Sequence, residues 1–219
     1  MSTLNVFWTK SNFSGILPLL FMRIISIHGF NASSQSHFHP WLKEQLQEQG
    51  YEVIAPNLPL SAEGDLDLPG IISAMREQIG LLKSDDVIIA HSLSAFIILQ
   101  YLEAVEMIGT PRAVIFVAAP WKVSKQELRR LFIADLDADV LMWKAREFII
   151  IHSKDDKMVP FDHAQKLAEA FKGRLVATET DGHFMNTEHS VLVDVIAEVA
   201  KTPFEYNPGA VLENVFEKH

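Results

Sequence analysis

The sequence predicts an α/β protein built on a mostly parallel sheet of six strands. Two observations carry this. Short Ile- and Val-rich runs recur along the chain without the polar alternation of half-exposed strands, as expected of strands buried on both faces. Helix-like segments lie between them, and strand–helix alternation is the signature of βαβ units. A chain of 219 residues suits one domain with a substantial core, and no internal repeat or low-complexity tract competes with that reading.

The elements follow in order. The first run, 23–27, is Arg-Ile-Ile-Ser-Ile. A helix over 41–49 ends at Gly50, a residue suited to closing a helix. Runs at 51–55, 86–90, 113–118, 147–151 and 174–178 supply the other five strands. Helices are expected over 68–82, over 93–107 with Gly109 and Pro111 beyond its end, over 162–171 before Gly173, and over 191–201. Residues 121–146 break the rhythm with a helix-like stretch, 125–134, and an acidic run, 135–139. Two readings stand for this segment: a lid over a site, or a long crossover helix followed by a solvated loop.

The domain is expected over 22–201, between an extension, 1–21, and a tail, 202–219. The apolar run at 13–22 is too short for a transmembrane helix and is interrupted by Pro18. It also lacks the basic start and small-residue cleavage site of a signal peptide. The favoured expectation is a start at Met22. The tail holds two prolines and no periodicity, so it is expected to lie over the surface.

A net charge of −9 argues against nucleic acid and against anionic membrane surfaces as partners. With no cysteine, disulfides, thiolate metal sites and cysteine nucleophiles are excluded; a cytoplasmic location is the expectation.

Residues 87–95 read Val-Ile-Ile-Ala-His-Ser-Leu-Ser-Ala, a buried strand running into a helix through a turn at Ser92. This is the pattern of a nucleophile elbow, usually Gly-x-Ser-x-Gly, with Ala90 and Ser94 at the flanking positions. Small flanking residues let strand and helix pass without clash. The turn sets a hydroxyl at a helix N-terminus, where free N–H groups favour negative charge. A serine hydroxyl needs a base to take its proton and an acid to orient that base. The chain then offers an acidic loop after a buried strand, Ser-Lys-Asp-Asp-Lys-Met-Val-Pro at 153–160, and Thr-Asp-Gly-His-Phe at 180–184 after the last strand. Both loops leave C-terminal strand ends, where α/β sheets place their sites. The base is His183; Asp155 and Asp156 compete as acid, with Asp181 better suited to shaping a turn with Gly182. One oxyanion donor should be the Leu93 amide and the other should come from the loop at 28–30.

Ala-His-Ser-Leu-Ser, Ser-Lys-Asp-Asp-Lys-Met-Val-Pro and Asp-Gly-His-Phe resemble the motifs of small single-domain serine hydrolases, the family typified by retinoblastoma-binding protein nine and its bacterial esterase-like relatives. His28-Gly29-Phe30-Asn31 and Phe38-His39-Pro40-Trp41-Leu42 resemble that family's opening, and the similarity spans roughly residues 23–200. The resemblance implies an α/β-hydrolase fold, a three-layer sandwich with minimal cap and strand order 2-1-3-4-5-6. It places the nucleophile on Ser92, the acid on Asp156 and the base on His183. Val159-Pro160 select Asp156 over Asp155. It places the second oxyanion donor on Phe30, with Asn31 next in line. Ala90 and Ser94 depart from the family's glycine preference, and Ser94 bears on helix–strand packing.

No cofactor or metal is implied. The expected substrate is a small carboxylic ester, with Phe30, Phe38, Trp41, Trp121 and Phe184 as candidate walls of an acyl pocket. The alternatives are a non-catalytic protein-binding module on the same fold, and a lyase or amidase using the same three residues. Among the other histidines, His28 and His91 are expected to hold loops. His37 and His39 form His-x-His without a third ligand nearby in sequence, so a structural role is expected. Glu63, Asp65 and Asp67 lack the rest of a calcium-loop pattern and read as a solvated loop.

Overall fold

In the computed structural model, which describes residues 22–62, 67–104, 109–123, 128 and 137–202, the Ile- and Val-rich runs pair into one six-stranded sheet. The strands are β1 (Arg23–Ile27), β2 (Glu52–Ile54), β3 (Val87–His91), β4 (Ala113–Val117), β5 (Phe148–Ser153) and β6 (Arg174–Thr178). Their order is β2-β1-β3-β4-β5-β6 and every pairing is parallel. Register sets Ile27 beside Ala90 and His91 beside Val117, so the ends of β1, β3 and β4 stand level.

Continuous burial along β1, β3, β4 and β5 follows from helices on both faces. The helices are α1 (His39–Glu48), α2 (Leu68–Ile79), α3 (Ser94–Ala104), α4 (Ala138–Leu141, continuing as a 3-10 turn over Met142–Lys144), α5 (Asp162–Ala170) and α6 (Ser190–Lys201). One face of the sheet, through Ile25, Ile27, Ile88, Ala90, Val114 and Phe116, packs on α2, α3, α4 and α5. The other, through Ile24, Val87, Ile89, Ile115 and Val117, packs on α1 and α6. Alternate residues of one strand thus feed two separate cores, which is why the runs lack a polar face. No helix among the described residues is long and apolar enough to cross a membrane.

The structure refines several expected elements. Helix α2 ends at Ile79 rather than 82, because Gly80 turns left-handed (φ 70°) while its N–H still bonds to the Arg76 carbonyl. Asp67, expected in a solvated loop, caps this helix by accepting from the Gly70 N–H at 3.0 Å. Strand β5 runs on to Ser153, carrying polar residues to the site end of the sheet. The expected terminal segments, 1–21 and most of 202–219, lie outside the described residues, as do Glu63, Asp65, the end of the helix expected at 93–107 and most of the stretch at 125–134.

One buried ion pair anchors the opposite end of the sheet. The Arg23 guanidinium donates to Asp86 Oδ1 (2.8 Å) and Oδ2 (2.6 Å), and to the carbonyls of Ile79 and Leu81. Asp86 Oδ2 also accepts from the Lys83 N–H. The pair locks the start of β1 to the turn before β3. Since both side chains are buried, removing one partner strands the other charge. Asp86→Ala is expected to destabilise the fold by about 3–5 kcal/mol, read as a shift in urea midpoint at constant m-value. A loss below about 1 kcal/mol would mean that solvent reaches the pair.

Candidate active site

Ser92 leaves β3 directly into the turn before α3, and its backbone takes φ 54°. A non-glycine residue in this left-handed region is strained, by about 1–2 kcal/mol for most L residues. The strain is held in place by neighbours: the Ser92 N–H donates to the Val117 carbonyl of β4 at 2.8 Å, and the Ala95 N–H donates to the Ser92 carbonyl. Ala90 and Ser94 are fully buried on either side. Ser94 fits because its hydroxyl donates to the His28 carbonyl. The departure from glycine thus becomes a tether between the elbow helix and the loop after β1. Gly29 in that loop lies against the elbow so closely that a Cβ there would sit 3.3 Å from the Ser92 Cβ.

His183, in the loop after β6, joins the elbow to the loop after β5. Its Nε2 lies 3.0 Å from the Ser92 Oγ, and its Nδ1 lies 2.7 Å from Asp156 Oδ2. With the proton on Nδ1, Nε2 accepts the serine hydroxyl. Asp156 Oδ1 accepts from the Met158 and Val159 N–H groups at 2.8 and 3.0 Å. Burial alone would raise the Asp156 carboxyl, but hydrogen bonds from His152, His183 and the Val159 amide outweigh it and hold the group well below the usual carboxylate range. Asp156 is therefore an ionised acceptor.

Neighbouring Asp155 has a different place. It accepts from the Ser153 hydroxyl at 2.5 Å and from the Gly182 N–H at 2.8 Å, fastening the His183 loop to the end of β5. Asp181 Oδ1 bonds instead with His189 Nδ1 at 2.6 Å.

The amides of Phe30 and Leu93 have no hydrogen-bond partner among the described residues, and both residues line the cavity beside Ser92. Asn31 differs: its N–H donates to the Leu60 carbonyl at 2.7 Å and its Oδ1 accepts from the Ala62 N–H. That commitment removes Asn31 from the candidate donors.

The cavity at Ser92 measures about 440 Å³. Four residues expected in its wall stand elsewhere. Phe38 and Phe184 are fully buried in the core beneath α1 and α6, and Trp41 packs half-buried against that same core. Trp121 is 38% exposed and does not line the cavity, whereas its neighbours Pro120, Lys122 and Val123 do. Of the expected aromatics only Phe30 lines it. The apolar wall is Leu128, Met158, Val159, Pro160 and Met185 instead. Met158 to Pro160 adjoin the acid in sequence, and that adjacency is the one signal that could have found them. Leu128 belongs to the segment for which a lid was one reading; the rest of 125–134 lies outside the described residues.

The remaining histidines hold backbone. His28 Nδ1 donates to the Gly29 carbonyl and its Nε2 accepts from the Leu58 N–H. His91 Nε2 donates to the His183 carbonyl at 2.9 Å, and burial pushes its imidazole down to about 3, so it acts as a neutral donor. His39 bonds to Ser26, and His37 donates to the Met185 carbonyl. His152 Nε2 lies 2.9 Å from the Val159 carbonyl and 3.4 Å from Asp156 Oδ2, bracing the acid loop from inside.

A parallel sheet of this order, with a serine elbow at the switch point between β1 and β3, defines an α/β-hydrolase-fold enzyme. The chain belongs to the serine hydrolase family, whose model matches residues 24–194. It is 28% identical over 185 residues to the YdeN protein of Bacillus subtilis, covering 83% of this chain and 96% of that one. The crystal structure of the B. subtilis ydeN gene product superposes with a TM-score of 0.75 at 27% identity, over 81% of this chain and 98% of that one. An esterase from Rhodococcus, RhEst1, shares the fold with a TM-score of 0.60 at 15% identity, covering 83% and 91% of the two chains. Est1E from Butyrivibrio proteoclasticus, solved with ferulic acid bound, shares it with a TM-score of 0.62 at 15% identity, over 81% and 87%.

The strained elbow makes a thermodynamic forecast. Glycine pays no steric cost at φ 54°, whereas alanine keeps it. Ser92→Gly should be more stable than Ser92→Ala by about 1 kcal/mol, measured by thermal or urea unfolding. Alanine equal to or more stable than glycine would mean that the backbone at 92 is not left-handed.

Proposed function

We propose that the protein hydrolyses small carboxylic esters through a Ser92–His183–Asp156 triad and an acyl-enzyme intermediate. The observation that carries this reading is the unbroken hydrogen-bonded chain from Asp156 through His183 to Ser92, at a cavity open to a small ligand. The Ser92 Oγ attacks the carbonyl carbon as its proton passes to His183 Nε2. Asp156 keeps the imidazole in the right tautomer and stabilises the imidazolium. The oxygen of the tetrahedral intermediate takes hydrogen bonds from the Leu93 and Phe30 amides. Collapse breaks the bond to the alkoxy oxygen, which leaves as the alcohol with the proton from His183. Water then attacks the acyl-enzyme with His183 again as base, freeing the carboxylic acid and restoring the Ser92 hydroxyl.

A fluorophosphonate probe is expected to add once to the intact protein and not to Ser92→Ala, as read by mass spectrometry. A folded protein that takes no adduct would remove the activated-serine reading and favour a binding role. Asp156→Asn should lower kcat by about a thousandfold or more, because the imidazole loses its orienting acceptor. Loss of less than about tenfold would exclude Asp156 as the acid.

Activity should fall as pH is lowered, and with a definite sign. An imidazolium at His183 cannot accept the serine proton, while the carboxyl of Asp156, held well below its ordinary range, stays ionised throughout. The acid limb of kcat/KM should therefore carry no contribution from Asp156. A second proton on that limb would mean that the Asp156 carboxyl is not held down.

A further inference from the structure

Across the cavity wall, charge is distributed unevenly. Among the described lining residues Lys122 is the only permanently charged side chain, and none carries a carboxylate. This stands against a chain of net charge −9. Several exposed cations pair with acidic side chains: Lys154 with Glu179, Lys166 with Asp162, and Arg174 with Glu147 and Glu198. Lys122 makes no ion pair or hydrogen bond with another described residue.

Its surroundings add a second polar group. The Trp121 N–H donates to His163 Nδ1 at 2.9 Å, fixing the chain beside Lys122 to the first turn of α5. With Nδ1 occupied as acceptor, the neutral imidazole of His163 carries its proton on Nε2. Burial is the main cause that pushes His163 down, with Asp162 opposing and Lys166, His152 and Lys122 adding smaller downward pushes, so the imidazole keeps its N–H without charge. The remaining wall here is carbon: Val123, Leu128 and Met158. A cation and an N–H donor at the wall of a mostly apolar cavity that has no carboxylate in its described lining set up a local positive field that draws an anion in.

We propose that this cavity selects substrates bearing one carboxylate, or an anion of like charge, and that Lys122, supported by His163, is the residue that confers the selection. The substrate class is then a small half-ester, or an ester whose alcohol portion is acidic, with a short carbon chain between the anion and the scissile carbonyl. This rests on the hydrolase reading of Ser92 for its chemistry, but not for its binding.

The test therefore reads binding and turnover separately. Calorimetry on Ser92→Ala uses two matched pairs: monomethyl glutarate against dimethyl glutarate, and 3-acetoxypropanoate against its methyl ester. The first pair places the carboxylate on the acyl side and the second on the alcohol side. In at least one pair the anion should bind about tenfold or more tightly than its neutral counterpart. Added salt should shrink that preference. Lys122→Gln should erase it, Lys122→Glu should reverse it, and Lys122→Arg should retain it, each in a variant whose melting temperature is that of the parent. Turnover of the same esters by the protein with Ser92 intact should show the same preference in kcat/KM. Equal treatment of anion and neutral ester in both pairs overturns the proposal, as does undetectable binding of both anions. A preference that survives Lys122→Gln overturns it too. Lys122-dependent anion binding in a protein that takes no fluorophosphonate would support the subsite while removing the hydrolase reading. Turnover without anion preference would do the reverse.

Discussion

Strands β1 and β3 lie side by side in the sheet although α1, β2 and α2 separate them in the chain, so the loop leaving one meets the elbow leaving the other. Everything at the site depends on how closely those two segments approach. Gly29 permits the approach, since any side chain there would press on Ser92 and His91. Ser94 then ties the loop down through the His28 carbonyl, and His28 in turn holds Leu58. The result is two amides, those of Phe30 and Leu93, with no hydrogen-bond partner among the described residues, on segments tied together by these bonds. Donors fixed before reaction need no reorganisation as charge develops, and this is where such sites gain most.

The same logic governs the other side of Ser92. Two adjacent carboxylates have been given different work by the backbone around them. Asp156 turns inward, where two amides and two imidazoles keep it ionised despite burial. Asp155 turns outward and fastens the loop that presents His183, while His91 holds the His183 carbonyl from beneath. The imidazole is thus braced through its own backbone as well as through Nδ1. Ser92 stores backbone strain against this bracing, and the surrounding sheet supplies the stability that tolerates it.

Much of this was legible in the sequence because it depends on local pattern. Ile- and Val-rich runs between helical segments imply a sheet covered on both faces, and the chain has few ways to arrange six such units. Ser92 and His183 could be read from short motifs whose spacing is set by a tight turn. The aromatic wall could not. Phe38, Trp41, Trp121 and Phe184 all lie within a few residues of a site loop, yet direction along a loop is set by what packs beneath it. Phe38 and Phe184 are drawn into the core under α1 and α6, because burying a large aromatic there gains more than lining an open cleft.

Sequence alone therefore determined the layer architecture and the strand–turn–helix pattern at Ser92, since each follows from periodicity or from residue types at fixed spacing. Tertiary structure decided what spacing cannot encode. It gave Asp155 and Asp156 different hydrogen-bond partners, and it committed the Asn31 amide to Leu60. It also made Ser94 a tether and brought Lys122 and His163, 41 positions apart in the chain, to one cavity wall. Those outcomes depend on which loops meet above the ends of β1, β3, β4, β5 and β6. Only the closed packing of the whole sheet and its helices sets those meetings.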